Sequence, residues 1–323
     1  MEMAPTKKLA LYAGRTNGEL AVEVAAHLGV KLGNPNLVDF ANGEIRCAFG
    51  ESIRGCDVFI LQTHAYPVND AIVEQLIMID AAKRASAKRI TAVVPFYGYA
   101  RQDRKAAGRE PITAKLLADM LTVAGADRVV SIDLHSGQIQ GFFDIPVDHL
   151  TAIPVLVDHL RTIVPPNAVV VSPDSGRVKS AERFAKHLDA DVASIYKRRS
   201  TSKVNTVEAL DIMGDVAGRF CVVVDDMIDT AGTICAAADL LRRRGASEVI
   251  AAATHGVLSG PAIDRIKNSV FTRVIITNTI PLPPEKQIDK IEVLSAAPIL
   301  AHAINAVFGD ASVSEIFGGE NQS

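Results

Sequence analysis

Tryptophan is absent from the 323 residues, and tyrosine and phenylalanine supply the whole aromatic share of 5%. With 48% of the residues hydrophobic, the core must be mostly Val, Ile, Leu and Ala, the usual filling of a buried parallel sheet. Cysteine is scarce. Cys47, Cys56, Cys221 and Cys235 form no CxxC pair, which speaks against a zinc site, and so large and cysteine-poor a chain is not expected to be a disulfide scaffold. Cys221 stands in an apolar run and reads as a small buried hydrophobe. No apolar run approaches the ~20 residues of a membrane span, and the start MEMAPTKK lacks the apolar centre of a secretion signal. A net charge of −3 with mixed signs gives no reason to expect a nucleic-acid or membrane partner. No GxxxxGK[ST] occurs, so an ordinary P-loop kinase is excluded. The expectation is a soluble, cytoplasmic protein of about two domains.

What is present is alternation. Apolar runs at 57–63, 89–96 and 128–134 read as strands, as do 168–172, 219–224, 248–254 and 273–279. Helix-period segments lie between them. One is capped by Asn69 and carries Ile72, Val73, Leu76 and Ile77. A second is capped by Thr113, carries Leu116, Leu117, Met120 and Leu121, and is closed by Gly125. Further helices are expected over 175–188 and 231–245. Strand–helix alternation predicts an α/β protein with mostly parallel sheets flanked by helices. A faint echo joins ADMLTVAGADRVVSIDLH, from Ala118, to ADLLRRRGASEVIAAATH, from Ala238, and leaves open whether the halves are duplicates. A boundary is placed near residue 150, giving domains 1–150 and 151–323.

The stretch VVVDDMIDTAGT, residues 222–233, is the most informative. Open parallel sheets bind ligands at the carboxyl ends of their strands. Asp225 and Asp226 stand at such an end, and Asp229, Thr230, Ala231, Gly232 and Thr233 form a turn into a helix. Amides at a helix start attract phosphate, and the two threonines add hydroxyls. A carboxylate ~4 Å from a phosphate charge costs on the order of 4 kcal/mol at an effective dielectric of 20. The acids must therefore face something else, either sugar hydroxyls or Mg²⁺. A pentose 5-phosphate satisfies both halves. The alternative is a solvated acidic turn.

With NGEIRCAFGESIRG, PFYGYARQDRK, PITAK, DLHSGQIQGFF and VVSPDSG, this stretch makes the chain resemble the ribose-phosphate pyrophosphokinase (phosphoribosyl pyrophosphate synthetase) family in its allosteric bacterial-type form, over nearly the full length. The resemblance implies two similar phosphoribosyltransferase-like domains, with the extreme C-terminus packing back on the first. It implies an enzyme that moves the diphosphoryl group of ATP to the 1-hydroxyl of ribose 5-phosphate, leaving AMP, for nucleotide biosynthesis.

By that resemblance Phe40 stacks adenine, Asn42, Gly43 and Glu44 contact the nucleotide, and Arg101 and Gln102 reach it too. From the residues alone, FANGE is equally a plain turn and RQDRK a solvated charged loop. His135 and Asp174 are implied ligands of Mg²⁺, although chemistry alone reads His135 as a hydrogen-bonded site residue. Lys197, placed after the short strand DVASIY, is implied to be catalytic with Arg199 beside it on a cationic lid. Otherwise that segment is an exposed basic loop. Ser52, Arg54, Ser312 and Ser314 are implied to hold an ADP or phosphate effector, and relatives assemble as homohexamers. SVSEIF by itself is a short terminal helix. A phosphoribosyltransferase or a non-catalytic relative of the synthetase are the rival functions, and a nucleic-acid module would want a basic surface this chain lacks.

Overall fold

A computed structural model describes residues 7–198 and 209–314. Its contacts divide the chain into two α/β units, and the expected fold class holds for both.

The first unit contains β1 (Leu9–Ala13), α1 (Gly18–Leu28), β2 (Leu32–Gly33), a small antiparallel ribbon of β3 (Val38–Asp39) and β4 (Ile45–Arg46), β5 (Asp57–Leu61), α2 (Val68–Arg84), β6 (Arg89–Val94), α3 (Thr113–Ala124), β7 (Arg128–Ile132) and β8 (Val147–Leu150). Its sheet runs β2-β1-β5-β6-β7-β8, every pair parallel. The second unit contains α4 (Ile153–Ile163), β9 (Val169–Ser172), α5 (Val178–Leu188), β10 (Asp191–Arg198), β11 (Ala209–Met213), β12 (Phe220–Ile228), α6 (Gly232–Arg243), β13 (Glu248–Gly256), α7 (Ala262–Asn268), β14 (Val274–Thr277) and β15 (Ile291–Leu294). Its sheet runs β11-β10-β9-β12-β13-β14-β15, parallel except for β11. Strands such as β5 and β9 are buried at every position because helices cover both faces, hence their continuous apolar runs.

The two sheets share one order if β1 matches β9, β2 matches β10, and β5 to β8 match β12 to β15. The echo from Ala118 and Ala238 does not follow this match. It aligns β7 with β13, whereas the shared order aligns β7 with β14. Any helix–Gly–strand unit carries similar apolar spacing, so the echo reports local structure only.

The remaining helix, α8 (Ala297–Phe308), packs on α1 and belongs to the first unit, together with Thr279–Pro281. A single cut at residue 150 places it in the other unit. Helix α8 buries Ile299, Leu300, Ile304 and Val307 among others, an apolar surface whose period does not say which sheet it covers. Just beyond it, Asp310 pairs with Lys7 and with Arg89 (2.7 Å), which together hold its carboxyl down at about 2.

Helix α2 departs from expectation. It starts one residue before Asn69 and has no side-chain cap, and Asn69 Oδ1 accepts from Tyr99 instead. Its buried face carries Ile72, Met78 and Ile79 but also Glu74 and Gln75, while Val73 is 46% exposed. On α3, Leu117 and Leu121 are buried as expected, but Leu116 and Met120 are exposed. Thr113 does not cap α3. The main-chain and side-chain oxygens of Gln102 accept from Ala114 N (3.2 Å) and Thr113 Oγ1 (2.6 Å). Among the described residues no helix is long and apolar enough to cross a membrane.

Behind the end of β5 lies a buried histidine. His64 Nδ1 accepts from Gly98 N (3.2 Å), so Nε2 carries the proton toward Gln75 Oε1 (2.8 Å), and Gln75 Nε2 donates to Ile60 O (3.1 Å). Burial lowers its pKa from 6.5 to about 4. Between those values the unfolded chain binds a proton that the folded chain refuses, so stability falls as pH drops through that window and levels off below it. Urea unfolding is expected to show a loss of about 2 kcal/mol at His64 between pH 7 and pH 5. His64→Gln should lose correspondingly less. Equal losses in both proteins would contradict a neutral buried His64.

Candidate active site

In the second unit the acidic segment stands at the carboxyl edge of the sheet, as expected, but the strand is longer than its apolar run. β12 continues through Asp225 and Asp226 to Ile228, with Asp225 opposite Ala253 and Met227 opposite His255 on β13. Backbone pairing does not depend on side-chain polarity, so the ladder outlasts the hydrophobic signal.

Arg177 was not singled out by sequence. It follows β9, the neighbour of β12, and donates toward Asp225 Oδ1 (Nε, 3.3 Å) and Asp226 Oδ1 (Nη2, 2.8 Å). Only the β9–β12 adjacency reveals the partnership. Burial raises the pKa of Asp225, the hydrogen bond and charge of Asp226 raise it further, and Arg177 opposes the rise. Two adjacent carboxyls that resist simultaneous ionisation offer both a donor and acceptors to a diol.

The turn after β12 is held from one side. Ile228 O accepts from Leu258 N (2.9 Å), Asp229 O from Ser259 N (3.0 Å) and Thr230 O from Arg265 Nη1 (2.9 Å). The Asp229 carboxylate accepts from Ser259 Oγ. Three successive carbonyls thus face the 258–265 segment. Ala231 then takes a left-handed conformation (φ 58°) and α6 begins with no side-chain cap. The first amides of such a helix have no intrahelical acceptor, the arrangement that suits a phosphate. Thr230 and Thr233 are exposed beside it, and Ala231 is buried.

Asp174 lies exposed in the loop after β9, its Oδ1 accepting from Gly176 N (2.8 Å). His135 follows β7 in the first unit and is half-buried. Among the described residues no group of three or more His, Cys, Asp or Glu side chains is placed to hold a metal. A protein cage is not what Mg²⁺ needs, since one or two protein ligands suffice when substrate phosphates supply the other oxygens. Asp174 fits that pattern, and His135 is the less usual donor. Lys197 is in β10, not after it, its backbone opposite Leu210 of β11. Arg199 lies outside the described residues.

In the first unit Phe40, Asn42, Gly43 and Glu44 form the β3–β4 turn. Phe40 N donates to Glu44 O (2.8 Å), Gly43 N to Phe40 O (2.8 Å) and Glu44 N to Asn42 Oδ1 (3.2 Å). Gly43 has φ 87°, where a side chain is disfavoured. Asn42 thus shapes the turn, and Phe40 stands 52% exposed. Arg101 is exposed in the turn after β6, and Gln102 is engaged with α3 as above. Ser312 and Ser314 line a cavity of about 460 Å³ with Arg89, Arg128, Asp148 and His149. Ser52 and Arg54 are exposed and are not part of its lining.

Residues 9–125 match the model of the N-terminal domain of ribose phosphate pyrophosphokinase, and residues 201–318 that of the phosphoribosyl synthetase-associated domain. A curated ribose-phosphate pyrophosphokinase of Streptomyces avermitilis is 55% identical over 312 residues, 96% of each chain. One of Bifidobacterium longum is 53% identical, over 98% of this chain and 94% of the relative. The crystal structure of phosphoribosylpyrophosphate synthetase from Mycobacterium smegmatis superposes with a TM-score of 0.88 at 52% identity, covering 94% of this chain and 100% of that one. Matched in both family domains and over nearly its whole length, the chain belongs to the ribose-phosphate pyrophosphokinase family.

Proposed function

We propose that the chain transfers the diphosphoryl group of ATP to the 1-hydroxyl of ribose 5-phosphate, giving 5-phosphoribosyl 1-diphosphate and AMP. The observation that carries this is the edge of the second sheet, where a carboxyl pair and an uncapped helix start follow each other on one short segment. The sugar phosphate sits on the amides and hydroxyls of Thr230 to Thr233, and its ring hydroxyls meet Asp225 and Asp226. Arg177 holds those acids in orientation. Asp229, engaged by Ser259, shapes the turn.

The 1-hydroxyl oxygen bonds to the β-phosphorus as the bond from that phosphorus to the α–β bridging oxygen breaks. AMP leaves with that oxygen, and the hydroxyl gives up its proton. Such transfer asks for positioning and charge stabilisation more than covalent chemistry. Phe40 stacks the adenine, Asn42 and Gly43 set the turn that presents it, and Glu44 contacts the nucleotide. Arg101 meets phosphate, Gln102 keeps the Arg101 turn against α3, and Lys197 and Arg199 offset charge on the moving group. His135 and Asp174 are the proposed Mg²⁺ ligands. When bound, that ion screens the ATP phosphate oxygens. Ser52, Arg54, Ser312 and Ser314 are proposed to serve an ADP or phosphate effector in a homohexamer of the family type, in the cytoplasm.

Incubation with ATP, Mg²⁺ and ribose 5-phosphate should release AMP in step with a sugar 1-diphosphate. Release of ADP, or no reaction, would remove the assignment, and consumption of the sugar diphosphate with a free base would favour a phosphoribosyltransferase. Lys197→Ala is expected to lower kcat by orders of magnitude with modest change in either KM, and near-normal kcat would take Lys197 out of its role. At Ala231 a β-branched side chain in the left-handed region adds about 1–3 kcal/mol of strain. Ala231→Val should therefore lower the melting point and raise KM for ribose 5-phosphate more than KM for ATP. An unchanged sugar KM would argue that the turn does not carry the phosphate.

A further inference from the structure

The β3–β4 ribbon that presents Phe40 is a weak element by itself. Each strand has two residues, and the ribbon joins neither large sheet. Isolated two-stranded hairpins are marginal in water. Val38 is 49% exposed and Phe40 52%, so their side chains are not anchored in the core. Its flanks are seated, because Leu37 and Cys47 pack against the core of the first unit, but those contacts lie at the base of the ribbon and do not direct its tip.

Arg15 spans the gap. At one end its Nε donates to Glu74 Oε2 (2.5 Å) and its main-chain N to Glu74 Oε1 (2.7 Å). Glu74 lies on α2 with its side chain 4% exposed, and Gln62 Nε2 adds a third donor (2.9 Å). A buried carboxylate needs such partners, so this end is fixed by the cost of leaving Glu74 unpaired. At the other end Nη1 and Nη2 fork onto Asp39 Oδ2 and Oδ1 (2.6 and 2.8 Å), and Asp39 is the residue before Phe40. The hydrogen bond from Arg15 holds the Asp39 carboxyl below its usual range. Asp39 is 53% exposed and gains little stability from the pair. What a bidentate fork supplies there is direction, because both of its bonds lie in one plane.

We propose that Arg15 is a positioning residue for the nucleotide: anchored on buried Glu74, its fork onto Asp39 sets the place and orientation of the Phe40 ribbon. This rests on the assignment of that ribbon to ATP.

The test is steady-state kinetics on the full chain, with melting points recorded alongside. Arg15→Ala and Asp39→Ala should each raise KM for ATP about tenfold, with kcat and KM for ribose 5-phosphate within about twofold of the parent. The double variant should be no worse than either single one, since both cut the same tether. Arg15→Lys should recover only part of the loss, because an ammonium cannot reach both acids as a fork. If Arg15→Ala does not fold, Asp39→Ala, an exposed change, carries the test. Phe40→Ala serves as the control. An ATP KM unchanged by the tether variants but raised by Phe40→Ala overturns the role of Arg15 alone, as do additive losses in the double variant. An ATP KM unchanged in Phe40→Ala itself overturns the assignment of the ribbon and the proposal with it.

Discussion

Parallel pairing is the constraint on which the candidate site depends. Successive parallel strands require a crossover, and each strand therefore ends at the same edge of its sheet. In the first unit this edge collects the 95–102 turn after β6 and His135 after β7. In the second it collects Asp174 and Arg177 after β9, the carboxyl pair at the end of β12, and the turn into α6. Lys197 is near the end of β10, which runs parallel to β9 and so finishes at that edge as well. The Phe40 ribbon is the exception. It stands on a long connection between β2 and β5, seated at its flanks by Leu37 and Cys47, with the Arg15 fork on Asp39 beside its tip.

Charge is managed the same way in both units. Acids that are wholly or largely buried are paired with one arginine: Glu74 with Arg15 in the first, Asp225 and Asp226 with Arg177 in the second. In both cases the arginine is more exposed than an acid it serves. The pairing leaves none of these acids uncompensated. In the second unit the acids are turned toward Arg177, while the carbonyls of Ile228, Asp229 and Thr230 are drawn to the 258–265 segment and the helix start is left without a cap.

The shared order of the two sheets gives the duplication a structural meaning that the sequence echo lacked. Equivalent crossovers are α1 with α5, α2 with α6, and α3 with α7. The α6 start, with its small-residue turn, corresponds to the α2 start, where Pro67 precedes the helix and polar Gln62, Thr63 and His64 are buried. The first-unit copy of the crossover carries internal polar networks at this position.

Most strands were legible because both faces of each sheet are covered, which leaves apolar runs such as DVFIL and VVV with no other use. The position of the acids at the strand end was legible for a related reason: acids and small residues directly after such a run mark where a buried strand leaves the core. Ends of elements were less so. β12 ran past its apolar signal, and the α2 stripe over Ile72, Val73, Leu76 and Ile77 pointed to a face rotated from the buried one, because Glu74 and Gln75 are buried by their partners and not by their own polarity. Arg177, Arg15 and Ser259 were silent in sequence. Their roles come from strands and helices far apart in the chain lying side by side, and no local period records which strand neighbours which. The sequence alone determined the class of fold and set the acids at the end of an apolar run; tertiary structure decided which charges meet there and to which unit α8 belongs, since the apolar period of that helix does not say what it packs against.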